Sequence, residues 1–172
     1  LLGTWVPPGE WLQGGLGTTI DVEGDLSDVR NSMTAKGLAA VWNGTVANPV
    51  LDAVASFTKV PSLARVKFDD LKSTFRVQDG RVMTGPARLS GPAGDWILSG
   101  SVGLDGSLDY AAGITLPASV AGQLGGNAAL AAGALADDQG RILLDLRIGG
   151  TTKSPKISWD SKATGERMRG RL

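Results

Sequence analysis

The chain has 172 residues with 17 basic and 17 acidic side chains, 42% hydrophobic residues, and no histidine or cysteine. This composition indicates a globular domain, and the balanced charge provides no electrostatic basis for a nucleic-acid partner. The lack of histidine and cysteine excludes disulfides, thiolate zinc sites and a Ser-His-Asp arrangement, so we expect no enzyme, no metal site and no cofactor.

Glycine supplies 25 residues and is spread along the chain, where it separates short segments of alternating polarity. That pattern is typical of a β meander. The longest nearly apolar stretches, residues 37–42 and 128–136, fall far short of the roughly 20 residues that cross a bilayer. The sequence does not open with the basic region of a signal peptide, and we expect any export signal or membrane anchor to lie outside it.

The first part of the chain predicts three strands and one helix. Residues 1–15 form a lead-in without a clear pattern, and residues 16–23 alternate in polarity as a strand does. Residues 33–38 and 40–46 indicate a less regular pair of strands. A helix is predicted to begin after Asn48, a good N-cap followed by proline, and apolar residues then recur at helical spacing until Pro61.

Residues 66–116 predict four antiparallel strands joined by short turns. Asp79-Gly80 and Asp105-Gly106 are strong hairpin signals, because glycine accepts a positive φ angle, and residues 91–95 form another turn. Apolar and polar side chains alternate between these turns, so each strand has one apolar face. That face carries Leu71, Phe75, Val77, Trp96, Leu98, Val102, Leu104, Leu108, Tyr110 and Ile114.

The last part of the chain repeats this pattern. Residues 117–124 and, more weakly, 128–135 predict further helices. A strand then alternates with an apolar face made of Ile142, Leu144, Leu146 and Ile148. Gly149-Gly150 turns the chain towards a short last strand at Ile157 and Trp159. The basic tail, residues 161–172, favours a solvated end and allows a short helix from Lys162.

Strands with one polar and one apolar face favour a sheet that is covered on one side only. A sheet of this many strands twists and curls, so its apolar face lines a concave trough. We therefore predict a mainly β fold, a curled antiparallel meander with two or three short α-helices packed on it or capping it.

Candidate reactive groups are few. Ser56 and Lys59 have the Ser-x-x-Lys spacing of a serine hydrolase, but the companion Ser-Asp-Asn and Lys-Thr-Gly elements are missing. The pairs Asp69-Asp70 and Asp137-Asp138 are not expected to converge on a substrate, because neighbouring strand residues point to opposite faces. Both pairs sit beside predicted turns, where aspartate bonds to the backbone. Acidic residues between positions 21 and 28 suit a solvated strand edge better than a calcium site: Asp21, Glu23, Asp25 and Asp28.

Three segments together resemble the C-terminal region of the AsmA-like family. Residues 68–82, from Phe68 to Val82, resemble its strand leading into an aspartate-glycine turn, and residues 100–110 resemble its next hairpin. Residues 148–157 resemble its glycine-threonine to proline ending, and the helix at 48–59 falls where the family has one. The resemblance covers residues 16–160, and the lead-in matches nothing in the family.

This resemblance implies an envelope protein of a diderm bacterium that is anchored in the inner membrane and reaches into the periplasm. The family is related to the TamB and YhdP bridge-like lipid transfer proteins, whose curled sheets form a hydrophobic groove for phospholipid. It implies a non-enzymatic module that contributes to phospholipid transport between the inner and outer membranes. The implied partners are phospholipid or another acyl-chain lipid, and a membrane reached through segments outside this chain.

The residues expected to face such a groove are the ten apolar positions given above for residues 66–116, together with Ile142, Leu144 and Leu146. An ordinary hydrophobic core has the same pattern, so the sequence leaves core and groove open for each of them. The alternative function is a structural or protein-interaction β domain in a larger membrane-anchored periplasmic protein, with sheet edges that pair with neighbours.

Overall fold

The computed structural model describes residues 12–23, 34–125 and 135–169. Eight strands form one sheet in which every strand is antiparallel to its neighbours and the spatial order equals the chain order. Their bounds are β1 Leu12–Glu23, β2 Thr34–Val46, β3 Val66–Gln78, β4 Arg81–Gly91, β5 Gly94–Gly103, β6 Leu108–Leu116, β7 Ile142–Gly150 and β8 Pro155–Trp159. The helices are α1 Pro49–Thr58, a 3-10 turn Pro61–Ala64, α2 Ala118–Ala121 and α3 Ser161–Arg169.

The predicted mainly β meander is confirmed, but one prediction within it is wrong. Residues 33–38 and 40–46 do not form a pair of strands, because β2 runs without interruption from Thr34 to Val46. Asn43 has a φ angle of 51°, a conformation that asparagine tolerates better than most residues. The predicted break at residue 39 does not occur, because Ala39 stays in register with Thr18 of β1 and Ser73 of β3. Alternation is broken further along, where Val41 and Gly44 are both buried on the inner side of the strand. The weaker helix predicted at 128–135 falls mostly on residues outside the described ones.

Helix α1 forms as its sequence predicts. The Asn48 side chain accepts a hydrogen bond from the backbone N–H of Leu51 at 2.9 Å, which satisfies a donor that the first turn leaves free. The helix ends at Lys59, whose φ angle of 64° is left-handed. Thr58 is fully buried and its hydroxyl donates to the Val54 carbonyl at 2.8 Å, so its polar group is satisfied without solvent.

The sheet curls around α1. This helix follows β2 after two residues, yet its Phe57 ring lies 5.1 Å from the ring of Trp159 on β8, centroid to centroid. Six strand spacings of about 4.8 Å would separate β2 from β8 by about 29 Å in a flat sheet. A ten-residue helix is only about 15 Å long. The sheet therefore bends so that its two sides approach the same helix.

All helical connections between strands leave the sheet at one end. The β2–β3 connection carries α1 and the 3-10 turn, and the β6–β7 connection carries α2. The β3–β4, β5–β6 and β7–β8 connections at the opposite end are tight turns of two to four residues. The helices consequently cover the half of the inner face nearest to them, where Val54, Leu63, Ile114, Leu144 and Leu146 are fully buried.

Helix α3 confirms the short basic helix but not the solvated end predicted for Arg167. The Arg167 guanidinium donates to the carboxylate of Asp145 and to the Leu143 carbonyl on the outer side of β7. Thr164 donates to the same carboxylate at 2.9 Å. The Arg167 and Asp145 side chains are only 20% and 15% exposed, so this pair holds α3 against the sheet rather than leaving it in solvent.

Candidate functional site

The inner face of the sheet divides into a closed half under the helices and an open half beyond them. The open half consists of eight half-buried side chains on β3 to β6: Leu71, Phe75, Val77, Val82, Leu98, Val102, Leu108 and Tyr110. Cross-strand pairing sets four of them side by side, in the order Val77, Val82, Val102 and Leu108. Because directly opposed side chains lie on the same face and in contact range, this row is a continuous apolar strip.

The thirteen residues predicted to face a groove are divided between these two halves. The closed half contains five of them, all buried: Trp96, Ile114, Ile142, Leu144 and Leu146. The open half contains seven, all half-buried: Leu71, Phe75, Val77, Leu98, Val102, Leu108 and Tyr110. Leu104 lies in the β5–β6 turn, beyond the last residue of β5, and is not on the sheet face.

Val82 belongs to the open half and was missed by the sequence reasoning. It pairs with Val77 on one side and Val102 on the other. A signal was present in the sequence, because a two-residue turn at Asp79-Gly80 places position 82 opposite position 77. The bulge between β3 and β4 disturbs the alternation further along β4, and this irregularity hid the inward positions of that strand.

The hydrophobic core ends part of the way along the strands. Among the described residues, the core cluster takes in Leu71, Leu98, Leu108 and Tyr110 at its margin. It does not extend to Phe75, Val77, Val82 and Val102, which lie nearer the tight turns. Those four side chains are apolar and directed inward, and no described helix covers them. The open half thus has the alternating apolar positions of a hydrophobic core, but its side chains are more exposed to solvent than core side chains are.

Two aromatic rings form part of the floor of the open half. The Tyr110 hydroxyl on β6 lies 2.9 Å from the Thr84 hydroxyl on β4. To reach it, the ring crosses Gly100 on the intervening strand, where an added Cβ would lie 2.9 Å from the ring. Phe75 likewise lies over Gly37 of β2, and a Cβ there would lie 2.7 Å from its ring. Glycine at these positions lets the rings lie flat along the sheet.

Hydrogen bonds join the three tight turns at the rim of the open half. The Leu104 N–H donates to the Gly80 carbonyl at 2.8 Å, and the Thr152 N–H donates to the Gly106 carbonyl at 2.9 Å. Arg81 adds bonds to the hydroxyls of Ser101 and Ser107 at 2.9 and 2.8 Å. Hydrogen bonds within the protein therefore fix the positions of the three turns that form the rim of the open half.

A carboxylate completes the β5–β6 turn. Hydrogen bonds from the Ser107 side chain and backbone lower the pKa of Asp105 below its ordinary value, because they favour the charged form. The charge lies in solvent at the outside of the turn and not on the apolar strip. Asp105 therefore stabilises the β5–β6 turn without placing a charge among the apolar side chains of the open half.

Tyr110 provides a spectroscopic probe of the open half, because it is the only tyrosine of the chain. Burial raises its pKa above the ordinary value, and the Thr84 hydrogen bond opposes that shift. A raised folded-state pKa means that the contribution to stability is fully present below the unfolded pKa of about 10 and is lost as the pH rises through the folded value.

We therefore expect the tyrosinate absorbance of the native chain to rise at a higher pH than that of the chain unfolded in urea. Thr84→Val should move the native titration to still higher pH, since it removes the bond that lowers the pKa. Coincident native and unfolded titration curves would show that the ring is not buried against the sheet.

The other candidate groups do not converge on a reactive centre. Ser56 is exposed in the last turn of α1, and Lys59 follows it at the left-handed end of the helix, without a hydrogen bond between the two side chains among the described residues. Asp69 and Asp70 were wrongly placed beside a turn, because both lie within β3, where the Asp70 carboxylate is 3.2 Å from the Lys72 ammonium. Within the described ranges, no group of three or more acidic side chains is arranged to hold a metal ion.

Asp137 has the turn role that its sequence predicts. Burial raises its pKa, but this is outweighed by hydrogen bonds from the backbone and side chain of Arg141 and the backbone of Gln139, and the net pKa is lowered. Two of the acidic residues predicted to form a solvated strand edge, Asp25 and Asp28, lie outside the described residues, as does the side chain of Glu23.

The described tryptophans occupy three different environments. Trp96 is 2% exposed in the closed half, and its indole N–H has no hydrogen-bond partner among the described residues. Trp159 packs on Phe57 where α1 meets β8. Trp42 lies on the outer face and is 46% exposed. None of the three stands at the mouth of the open half, while Trp5 and Trp11 lie outside the described residues.

None of the described helices is both long and apolar enough to cross a bilayer. In the described residues, the apolar face of the sheet is covered by helices at one end and is left uncovered between ordered turns at the other. A scan against protein-family models, a search of curated proteins and a search of solved structures each return no match. The resemblance to the AsmA-like family accordingly stays a prediction, and functional reasoning starts from the open half.

Proposed function

We propose that the chain is a non-enzymatic module that holds the acyl chains of a phospholipid against the open half of its sheet. The observation that supports this most is the row Val77, Val82, Val102 and Leu108, which is apolar, directed inward and only half-buried. A surface of this kind is unusual in a monomeric domain unless something binds to it.

The chemistry of the open half suits acyl chains. The row crosses four strands and so spans about 14 Å, from three strand spacings of about 4.8 Å. Acyl chains need no precise polar partner, since their transfer from water depends on buried area at about 25 cal/mol per Å². Among the described residues of the floor, the Thr84 and Tyr110 hydroxyls satisfy each other, and the Ser73 hydroxyl donates to the Thr74 carbonyl at 3.0 Å. The surface therefore offers apolar contact without unpaired donors or acceptors.

By the resemblance to the AsmA-like family, the wider role that we propose is envelope biogenesis in a diderm bacterium. In that role the module would form part of a periplasmic groove for phospholipid passing between the inner and outer membranes, within a protein anchored in the inner membrane. The closed half would form the end wall of the groove segment, and the ordered turns of the rim would form its entrance.

The test is lipid bound to the purified chain, measured by mass spectrometry after expression in a diderm host. We expect phospholipid to co-purify with the chain. Val102→Asp is expected to lower the bound lipid about tenfold, because an ionised carboxylate is costly to bury against apolar groups. Ser99→Asp is the matched control, since it adds the same charge to the other face of the same strand and should leave the lipid content unchanged.

A chain that stays free of lipid even after incubation with phospholipid vesicles would contradict the proposal, as would equal lipid content in the Val102 and Ser99 variants. Circular dichroism on both variants establishes that the sheet is intact. The measurement thus separates lost binding from lost folding.

One observation favours the alternative of a protein-interaction domain. Strand β1 has 12 residues and pairs only with β2 among the described strands, so its other edge offers backbone groups for pairing. The opposite edge strand β8 has 5 residues, includes Pro155 and Lys156, and is followed directly by α3. Short length, proline and lysine protect sheet edges from pairing, and β1 lacks these features. Under this alternative, the purified chain would be free of lipid and would self-associate in sedimentation velocity.

A further inference from the structure

The outer face of the sheet, on the side opposite the open half, carries a second exposed apolar surface. Four of the large apolar side chains that remain exposed in the described parts of the chain lie on it: Leu38 at 46%, Trp42 at 46%, Met83 at 37% and Ile97 at 44%. Two lie on β2, one on β4 and one on β5. The open half does not account for the exposure of these side chains, because alternation along the strands directs them to the opposite face.

Four cations lie among these apolar side chains. Lys36 of β2 is directly opposite Arg76 of β3, and Lys72 of β3 is directly opposite Arg88 of β4. Arg76 is in turn opposite Met83, and Arg88 is opposite Ile97. We call these eight residues the outer patch. Each cationic pair is flanked by an apolar side chain on the next strand, Met83 beside Arg76 and Ile97 beside Arg88.

The two cationic pairs oppose like charges, an arrangement that destabilises a sheet. Carboxylates compensate them only in part. Asp70 lies 3.2 Å from Lys72, and Asp21 pairs in register with Lys36. Within the described ranges, Lys36, Arg76 and Arg88 form no ion pair within 4.0 Å. The patch therefore keeps an excess of positive charge although the chain as a whole is neutral.

Beside the first pair the surface is hollow. Lys36, Arg76 and Gln78 line a depression of about 260 Å³ together with Asp21, Thr34 and Ala35. Lysine, arginine and glutamine offer several N–H donors to an anionic oxygen. Leu38, which is 46% exposed, lies two residues along β2 from Lys36 and so on the same outer face, about 7 Å away. An anion and an apolar group can thus be bound by adjacent parts of the same face.

We propose that the outer patch is a docking surface for an anionic phospholipid bilayer. The cations complement lipid phosphates, and the exposed leucine, isoleucine, methionine and tryptophan side chains enter the boundary between headgroups and acyl chains. The aliphatic side chains favour a bilayer over a nucleic acid, because a sugar-phosphate backbone offers them no apolar contact. This surface lies on the opposite side of the sheet from the open half, and it does not depend on lipid in the trough.

The test is co-sedimentation of the full chain with vesicles of phosphatidylcholine alone and of equimolar phosphatidylcholine and phosphatidylglycerol. We expect binding to the anionic vesicles only, and weaker binding as salt rises, because salt screens exposed charges. Neutralising one cation is expected to lower the partition coefficient about fivefold, and Lys36→Gln/Arg76→Gln together about 25-fold. Lys72→Gln/Arg88→Gln serves as an independent second variant.

Lys153→Gln/Lys156→Gln is the matched control, because it removes two exposed cations from the β7–β8 hairpin, outside the outer patch. Leu38→Thr/Ile97→Thr tests the apolar part and is expected to reduce binding at all salt concentrations. Three results would overturn the proposal: no sedimentation with either vesicle, an equal loss in the Lys153/Lys156 control, or binding to duplex DNA without binding to anionic vesicles. Val102→Asp should sediment like the native chain, which separates this proposal from the proposed lipid site.

Discussion

Leu144→Ala is expected to lower the free energy of unfolding by about 2–5 kcal/mol, the range for truncating a fully buried leucine. Leu144 is 0% exposed in the middle of β7, where it pairs with Ile114 under the helices of the closed half. Removing its side chain loses the transfer free energy and leaves a cavity, because the strands on both sides fix the surrounding backbone. Equilibrium urea unfolding followed by circular dichroism measures the effect.

Leu108→Ala is the matched control, since it makes the same chemical change in the open half. Leu108 is only half-buried, so the expected loss is about 1 kcal/mol, with no enclosed cavity. Lipid binding should respond in the opposite order, more strongly to Leu108→Ala than to Leu144→Ala. Equal destabilisation by the two substitutions would mean that both halves are closed core.

Gly100→Ala is expected to cost about 3 kcal/mol or more, as a change that the backbone cannot accommodate. A Cβ at this position would lie 2.1 Å from the Asp109 carbonyl oxygen and 2.6 Å from the Tyr110 Cα. Both are backbone atoms of the neighbouring strand, so a rotamer change cannot relieve the overlap. We expect lower thermal stability, and a Tyr110 titration that moves towards that of the unfolded chain as the ring is displaced.

Gly113→Ala on the adjacent strand is the control. An added Cβ there meets no atom within 4 Å, so the substitution is expected to be neutral or to stabilise by about 0.4–1 kcal/mol through the unfolded state. If Gly100→Ala and Gly113→Ala had the same melting temperature, the close approach of backbone atoms at Gly100 would not be the reason that glycine is required there.

The two halves of the inner face can be distinguished by which property each substitution changes. Stability is concentrated where helices and strands from distant parts of the chain meet, around Leu63, Ile114 and Leu146. The open half is expected to contribute less to stability, and its half-buried apolar area is the surface that we propose to hold acyl chains. The described helices lie at one end of the sheet, which leaves the apolar side chains near the tight turns without a helix over them.

Several elements could be predicted because their signals are local. The Asp79-Gly80 and Asp105-Gly106 turns, the Asn48 cap of α1 and the alternation of β7 each depend on neighbours within a few residues. Most inward-facing positions on β3 to β7 followed from those turns. Two local predictions were wrong: the break at residue 39, where β2 stays paired with both neighbouring strands, and the turn beside Asp69-Asp70, which lie within β3.

By itself the sequence determined an antiparallel meander with one apolar face, because turn residues and two-residue periodicity act over short distances. Which part of that face is core and which is open was decided only by the tertiary structure. Leu108 and Leu144 have the same side chain and the same alternation, and they differ only in whether a helix lies over them. That depends on the curl that brings α1 to β8, a contact between residues about 100 positions apart that no periodicity records.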